Sequence, residues 1–296
     1  MKPQDNQKLQ SYIDIIEKKL MSYNAINDAN RLQENVIKAM NYSLLAGGKR
    51  IRPVLVLEFC NVCGGNIDKA LPTACALEMI HTFSLIHDDL PCMDDDDFRR
   101  GQPSCHKAYG EAIALLAGDA LENLAYSVIA NSKENSAETT IKIIQELSYA
   151  VGVDGMIGGQ VIDIEYEEIP ISKEILDKMY SCKTGALVRS ACRMGCILAN
   201  SSDELLKKAT IYAEKLGLAF QIVDDILDVT GTQDVLGKPI GSDETQGKIT
   251  FVTLFGLEKA IKMAEVLTNE ALAILNDFPD NDFLIALTKS LVIRKN

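Results

Sequence analysis

Residues 219–228 read Ala-Phe-Gln-Ile-Val-Asp-Asp-Ile-Leu-Asp, at the end of a long apolar segment that begins at Asp203. Asp224 and Asp228 are four positions apart, so a helix brings their side chains onto one face. Clustered carboxylates beside a hydrophobic wall repel one another and lose hydration, which is costly unless a cation neutralises them. The stretch therefore predicts a helix whose acidic end binds a cation.

A second acidic cluster ends another apolar segment, residues 70–90. Asp88 is followed, after a proline, by Asp94 and Asp95. On an ideal helix Asp95 would lie nearer to the direction of Asp88, but proline disfavours an ideal helix there, so the spacing leaves both open. One such cluster is often only a solvated helix end. Two in the same context favour Mg²⁺, which typically bridges carboxylates to substrate phosphates.

Basic residues lie both before and after the acidic cluster that begins at Asp88. Lys49 and Arg52 follow two glycines in the stretch GGKRIRP, and Arg99 and Arg100 follow the run of aspartates. Glycine permits close backbone approach, and Lys and Arg donate hydrogen bonds to phosphate oxygens. His81 lies two helical turns before the acidic cluster, on the same face. Each of these alone has an ordinary structural interpretation, but together they predict an anion site.

Composition and periodicity indicate an all-α fold. The chain has 296 residues, 47% hydrophobic, and a net charge of −12. We expect a single domain over residues 1–296, and the negative charge disfavours a nucleic-acid partner. Apolar residues recur at helical spacing over residues 70–90, 172–200 and 203–229, without clear hairpins or alternation of strands with helices. No apolar run reaches the roughly 20 residues of a membrane span, so no stable membrane insertion is expected.

The cysteines and the first residues bear on location. The first ten residues are polar and lack the apolar region of a signal peptide, so we expect a cytoplasmic protein with reduced thiols. Cys60 and Cys63 have a CxxC spacing, but the second pair that zinc would require is missing. We expect both, like Cys192 and Cys196, to be buried residues of helices.

Glycine and proline mark the breaks between helices. Residues 90–103 and 230–247 predict two loops long enough to be functional. Glycine pairs at 64–65 and 158–159 predict turns or close approaches between helices. Further polar groups interrupt apolar helices or lie in the second loop: Lys183, Thr184, Gln221 and Lys238.

The ordered motifs resemble those of the short-chain trans-prenyl diphosphate synthases, especially bacterial farnesyl and related geranylgeranyl diphosphate synthases. The resemblance covers about residues 42–258 and rests on GGKRIRP, HTFSLIHDDLPCMDDDDFRRG, KTG, and FQIVDDILD followed by LGKP. It implies a homodimeric, isoprenoid-synthase-type helical bundle around a deep apolar cavity. It also implies condensation of dimethylallyl or geranyl diphosphate with isopentenyl diphosphate, with three Mg²⁺ ions per active site.

The resemblance assigns roles to individual residues. The metal-binding motifs contain Asp88, Asp89, Asp94, Asp224, Asp225 and Asp228. The allylic diphosphate would contact Arg99, Lys183 and Lys238. A metal-free pocket for isopentenyl diphosphate would consist of Lys49, Arg52, His81 and Arg100. The reacting carbons would face Thr184 and Gln221, with Lys183 completing the catalytic set.

The resemblance also bears on product length and on other enzyme classes. Phe83 lies five residues before Asp88 and, as a bulky side chain, would form the floor of the cavity. We therefore expect the C15 product farnesyl diphosphate, with the C20 product geranylgeranyl diphosphate as the alternative. A terpene cyclase is disfavoured because such enzymes usually replace the second DDxxD motif. A non-catalytic regulatory subunit is disfavoured because such subunits tend to lose one motif, and both are intact here.

Overall fold

The computed structural model describes residues 1–23, 32–166, 169–230 and 249–292. The all-α fold class predicted from the sequence is confirmed within these ranges. Residues 231–247 of the second predicted loop, including Lys238, lie outside the described residues. The helices and strands are α1 (Pro3–Tyr23), α2 (Glu34–Leu44), α3 (Ile51–Val62), α4 (Ile67–Asp88), β1 (Phe98–Arg99), β2 (Gln102–Pro103), α5 (Cys105–Tyr109), α6 (Glu111–Ala130), α7 (Ala137–Val151), α8 (Met156–Glu165), α9 (Lys173–Tyr180), a π-helical turn (Ser181–Gly185), α10 (Ala186–Leu198), α11 (Asp203–Thr230), α12 (Phe251–Phe255), α13 (Leu257–Leu275) and α14 (Asp282–Val292).

The centre of the bundle is the pair α3 and α4. Side chains on several sides of both helices are fully buried, among them Leu55, Leu57, Leu77 and Ile80. A helix that is apolar on most sides must be surrounded by other elements, and α1, α6 and α10 pack against this pair. The acidic end of α4 is therefore held on a helix that is fixed by its neighbours.

Helix α11 connects two hydrophobic clusters. Tyr212, in its first half, belongs to the main core and shares a 2.7 Å hydrogen bond with Thr288 of α14. Ile222 and Leu227, in its second half, belong to a smaller cluster with residues of α9, α12 and α13. At 1.5 Å per residue the helix is about 42 Å long. Its second half contains the second acidic motif, in which the charge of Asp224 acts on Arg52 of α3.

Two glycine positions confirm the expected turn and the expected close approach. Gly64, at φ +80°, lies in the turn between α3 and α4. A Cβ atom on Gly159 would lie 2.2 Å from the backbone nitrogen of Lys183, so α8 touches the π-helical turn along its backbone. Any larger residue at Gly159 would push these two elements apart.

The first predicted loop contains a short hairpin that the sequence did not indicate. Strands β1 and β2 pair antiparallel, with Phe98 opposite Pro103. Arg100 and Gly101 between them have φ +54° and φ +80°, and positive φ at both central residues is the signature of a tight two-residue hairpin turn. Strands this short carry no alternating pattern, which is why periodicity could not reveal them.

The cysteines and one apolar helix also bear on the sequence expectations. All eight cysteines are free thiols, and Cys60, Cys192 and Cys196 are buried in helices as expected. The expectation is wrong for Cys63, which is half-buried because it lies just beyond the end of α3. Across the described ranges, α6 is long and apolar enough to span a membrane by length and composition, although its sequence contains three acidic residues. This helix packs against α2 and α4, and core helices of bundles have the same composition.

Candidate active site

The loop after α4 determines which aspartate faces Asp88. The backbone nitrogen of Asp94 donates to the carbonyl oxygen of Asp88 over 2.9 Å, which folds the loop back on the helix end. Asp95 has φ +50° and its carboxylate lies 3.9 Å from Lys107 Nζ, away from α4. The charge of Asp94, by contrast, acts on both Asp88 and Lys183. Of the two candidates that the spacing left open, the structure therefore favours Asp94.

Asp88 is a half-buried carboxylate among polar groups. Its Oδ1 atom accepts a hydrogen bond from Gln160 Nε2 of α8 over 2.6 Å. Burial raises the pKa of Asp88 to about 6; Lys183 opposes this effect and the like charge of Asp94 adds to it. A carboxylate that is costly to ionise and lies beside another carboxylate is stabilised by a cation.

Asp89 points into a different environment from Asp88. It is buried, and its Oδ1 atom accepts hydrogen bonds from Nε of Arg99, at 2.8 Å, and from Nη2 of the same residue. Arg99 also donates to Asp96 over 2.8 Å. The structure thus places Arg99, expected at the allylic diphosphate, on two carboxylates of its own loop. The role of Asp89 as a metal ligand stays a prediction.

The aspartates of the second acidic motif lie in different environments. Asp225 is buried and accepts hydrogen bonds from the Tyr180 hydroxyl and from the backbone nitrogen of Phe251, each at 3.0 Å. It thereby ties α9 and α12 to α11. Asp228 is also buried. Asp224 is half-buried, and its charge acts on the guanidinium of Arg52, so it faces the basic residues.

Lys183 and Thr184 lie in the π-helical turn, and turns of this kind are frequent at functional sites. Lys183 Nζ lies 2.5 Å from Asp163 Oδ2 of α8. Burial lowers the pKa of Lys183, but Asp163, Asp88 and the paired hydrogen bond outweigh burial, so the net shift is upward and the ammonium keeps its charge. Thr184 Oγ1 donates to Gln221 Oε1 over 3.0 Å. The turn therefore joins α8 to α11 through polar contacts.

Gln160 and Asp163 are site residues that the sequence analysis missed. They are three positions apart on α8, hence on one face, and they contact Asp88 and Lys183 respectively. The available signal was a pair of polar residues within an apolar helix, directly after the glycine pair at 158–159. Gln160 is 72 positions from Asp88 in sequence and Asp163 is 20 positions from Lys183, so spacing alone could not connect them.

Two adjoining cavities are lined by half of the predicted site residues. The first, of about 430 Å³, has Asp88 and Lys183 among mainly apolar walls. Its apolar lining includes Phe83, Met156, Ile157, Val161, Ile164 and Leu187. The second, of about 360 Å³, has a basic lining of Lys49, Arg50, Arg52 and Arg100, with His81. Both cavities are lined by Arg52, His81 and Thr184.

Arg52 and His81 form the shared wall between these cavities. Arg52 Nη1 lies 3.3 Å from His81 Nε2. Burial, with the neighbouring guanidinium of Arg52, lowers the pKa of His81 well below its usual value, so the imidazole is neutral at pH 7. Arg52 Nε is buried and finds no hydrogen-bond partner within the part of the chain that the structure describes. Such an orphan donor suits an anionic ligand.

Residues 33–282 match the model of a protein family described as "Polyprenyl synthetase". The chain belongs to this family. It is 45% identical over 264 residues to a geranylgeranyl diphosphate synthase of Cyanophora paradoxa, covering 88% of each chain. It is also 45% identical over 264 residues to a dimethylallyltranstransferase of Fischerella ambigua, covering 88% of this chain and 76% of that one. A solved FPP/GFPP synthase from Zymomonas mobilis superposes with a TM-score of 0.89 at 34% identity, covering 99% of this chain and all of the other.

Membership makes this polyprenyl synthetase a trans-prenyltransferase of isoprenoid biosynthesis, and members of the family generally use Mg²⁺. No group of three or more His, Cys, Asp or Glu side chains forms a preassembled metal site within the described ranges. The donor chemistry nevertheless fits, because the half-buried carboxylate of Asp88, whose pKa is raised, is acted on by the like charge of Asp94. Carboxylate oxygens of this kind are the ligands that Mg²⁺ prefers.

Proposed function

We propose that this polyprenyl synthetase condenses an allylic diphosphate with isopentenyl diphosphate. The observation that carries the proposal is the pair of adjoining cavities. One has the carboxylate of Asp88 among mainly apolar walls, and the other is lined by cations. A reaction between two diphosphates, of which one binds through metal and the other without it, requires this asymmetry.

The first cavity suits the allylic substrate. Asp88, Asp94 and Asp224 would hold Mg²⁺ there, and the metal supplies charge stabilisation to the departing diphosphate. Lys183, kept cationic by Asp163, would add a hydrogen-bond donor to the same leaving group. The apolar walls would receive the hydrocarbon tail and exclude water from the carbocation that forms when the C–O bond breaks.

The second cavity suits isopentenyl diphosphate. Lys49, Arg52 and Arg100 would bind its diphosphate, with His81 as a neutral hydrogen-bonding partner. Thr184 lines both cavities, so the double bond of isopentenyl diphosphate would meet the allylic carbon beside it. Holding two reactants in register removes much of the entropic cost of their encounter.

For product length, two observations favour different answers. The relatives at 42–46% identity include several named geranylgeranyl diphosphate synthases, which supports the C20 product as the first candidate. Phe83 lines the first cavity and is 5% exposed, with its ring 5.5 Å from that of His87. This bulky ring supports the C15 product farnesyl diphosphate as the second candidate. A homodimer and a cytoplasmic location remain predictions.

A product assay tests the proposal. Purified protein would be incubated with isopentenyl diphosphate, Mg²⁺ and either dimethylallyl or geranyl diphosphate, with EDTA as the control. The product diphosphates would then be hydrolysed with phosphatase, and the resulting alcohols would be sized by chromatography. We expect a C20 or C15 alcohol that disappears with EDTA. Turnover of the allylic substrate alone would indicate a cyclase, and no condensation with either starter would indicate a regulatory subunit.

A further inference from the structure

Glu78 is a buried carboxylate in the wall of the basic cavity. Its side chain is 2% exposed, and it lies one helical turn before His81 on α4. Its Oε1 atom lies 2.6 Å from Arg50 Nη1 and 3.9 Å from Arg100 Nη2. A negative charge in a cavity meant for a diphosphate weakens anion binding by simple Coulomb repulsion. Its presence there therefore needs a second, compensating effect.

The backbone at both partner arginines adopts an unusual conformation. Arg50 has φ +49° and Arg100 has φ +54°, in the left-handed region that non-glycine residues rarely occupy. Such conformations persist where surrounding contacts hold them, and they concentrate at binding sites. Two left-handed arginines from separate segments, both directed at one carboxylate, indicate that the pair is held in place for binding.

The guanidinium of Arg100 is held on three sides. One side faces Glu78, and Nη1 donates to the carbonyl oxygen of Gly47. On the third side, a Cβ atom on Gly48 would lie 3.0 Å from Arg100 Cζ, so a larger residue there would crowd the guanidinium. Gly48 has φ +137°, which also disfavours any other residue. The glycine pair before Lys49 thus helps to hold the guanidinium of Arg100 in place.

We propose that Glu78 is a positioning residue, which rests on the proposed function of this cavity as the isopentenyl diphosphate site. Glu78 orients Arg100 before substrate arrives, so that little side-chain entropy is lost on binding. Because Arg100 directly follows the loop of the first acidic motif, the same contact ties that loop to the basic cavity.

Removal of the Glu78 charge distinguishes the proposal from simple electrostatics. If Glu78 acted only as a charge, Glu78→Gln would make the cavity more positive and tighten diphosphate binding. If it positions Arg100, the same change weakens binding. A purely structural ion pair would lower stability without selectively affecting either substrate. The matched control is Glu58→Gln, which removes another buried glutamate bonded to Lys8 and Tyr12, at 2.8 and 2.7 Å, outside the lining of both cavities.

The first experiment measures binding of inorganic pyrophosphate by calorimetry in EDTA, so that only the metal-free site is occupied. We expect Glu78→Gln to weaken binding about tenfold, equivalent to about 1.4 kcal/mol, and Glu58→Gln to leave it unchanged. In steady-state assays the same variant should raise KM for isopentenyl diphosphate by a similar factor, with KM for the allylic substrate changed less than about twofold. Equal or tighter pyrophosphate binding by Glu78→Gln would overturn the proposal.

Two further variants keep the test decisive if Glu78→Gln fails to fold. Gly48→Ala crowds Arg100 without touching Glu78, and we expect the same selective rise in KM for isopentenyl diphosphate. In an Arg100→Gln background, Glu78→Gln should add less than about twofold, because coupled residues are not additive; a full additional tenfold effect would overturn the proposal. Wild-type protein that binds pyrophosphate in a Glu78-dependent way but condenses nothing would reject the proposed function while retaining the positioning role.

Discussion

The Nε2 atom of Gln160 lies 2.6 Å from Oδ1 of Asp88 and joins α8 to the acidic end of α4. This hydrogen bond does not fully compensate for burial, since the pKa of Asp88 is still raised to about 6. In the metal-free protein the ionised form of Asp88 is therefore destabilising at neutral pH. The ionised carboxylate of Asp88 therefore lowers the folding stability of the metal-free protein, and a bound cation would stabilise it.

The first prediction concerns stability without metal. Because the folded-state pKa of Asp88 exceeds the unfolded value, its stabilising contribution is complete below about pH 4 and is lost as the pH rises through about 6. In EDTA, Asp88→Asn should therefore raise the free energy of unfolding by about 1–2 kcal/mol at pH 7.5 and by much less at pH 4.5. Urea denaturation at both pH values measures the difference.

Asp95→Asn is the control for this prediction. Asp95 lies on the same loop with an exposed side chain facing Lys107, so its substitution should change stability by no more than about 0.5 kcal/mol. Adding Mg²⁺ should stabilise the wild type more than Asp88→Asn. A loss of stability in Asp88→Asn at pH 7.5 would show that the ionised carboxylate is not the source of the cost.

Much of the fold was accessible from periodicity, because apolar residues at helical spacing predict buried faces. The predicted segments 70–90 and 203–229 correspond to α4 and α11, and the segment 172–200 corresponds to α9, the π-helical turn and α10. The acidic ends of α4 and α11 were predicted for the same reason. In both helices, the aspartates that follow an apolar segment are enough to predict an acidic helix end.

Pairings across long sequence distances could not be predicted. The choice between Asp94 and Asp95 depends on a backbone turn and on φ +50° at Asp95. Arg99 was expected on a diphosphate, but in the structure it contacts Asp89. Such contacts depend on how separate helices and loops pack together, and the hydrophobic periodicity of a single segment does not predict them.

The second prediction separates the two neighbouring aspartates by activity. Asp94→Asn should reduce kcat about 100-fold or more, because the carboxylate that faces Asp88 and Lys183 loses its charge. Asp95→Asn should retain activity within about threefold of the wild type. Steady-state condensation rates at saturating Mg²⁺ measure both. Equal losses in the two variants would mean that the loop rearranges when substrate binds.

The third prediction assigns Asp225 an anchoring role. Asp225→Ala should lower the free energy of unfolding by about 2–4 kcal/mol, because the Tyr180 hydroxyl and the Phe251 backbone nitrogen lose a buried acceptor. Asp224→Asn, at the adjacent half-buried position, should lose activity with a stability change within about 1 kcal/mol. Chemical denaturation in EDTA measures both. Wild-type stability in Asp225→Ala, together with weaker Mg²⁺ binding, would instead support Asp225 as a metal ligand.

The fourth prediction concerns product length. Phe83 lines the apolar cavity below Asp88, and replacing its ring by a methyl group lengthens the space open to the growing chain. Phe83→Ala should therefore yield a main product at least one five-carbon unit longer than that of the wild type, whichever length the wild type makes. Phe278→Ala is the matched control: Phe278 is equally buried but packs edge-to-face on Phe59, away from both cavities, so it should lose about 3–5 kcal/mol of stability and keep the product length. An unchanged product from a folded Phe83→Ala variant would place the floor of the cavity at another residue.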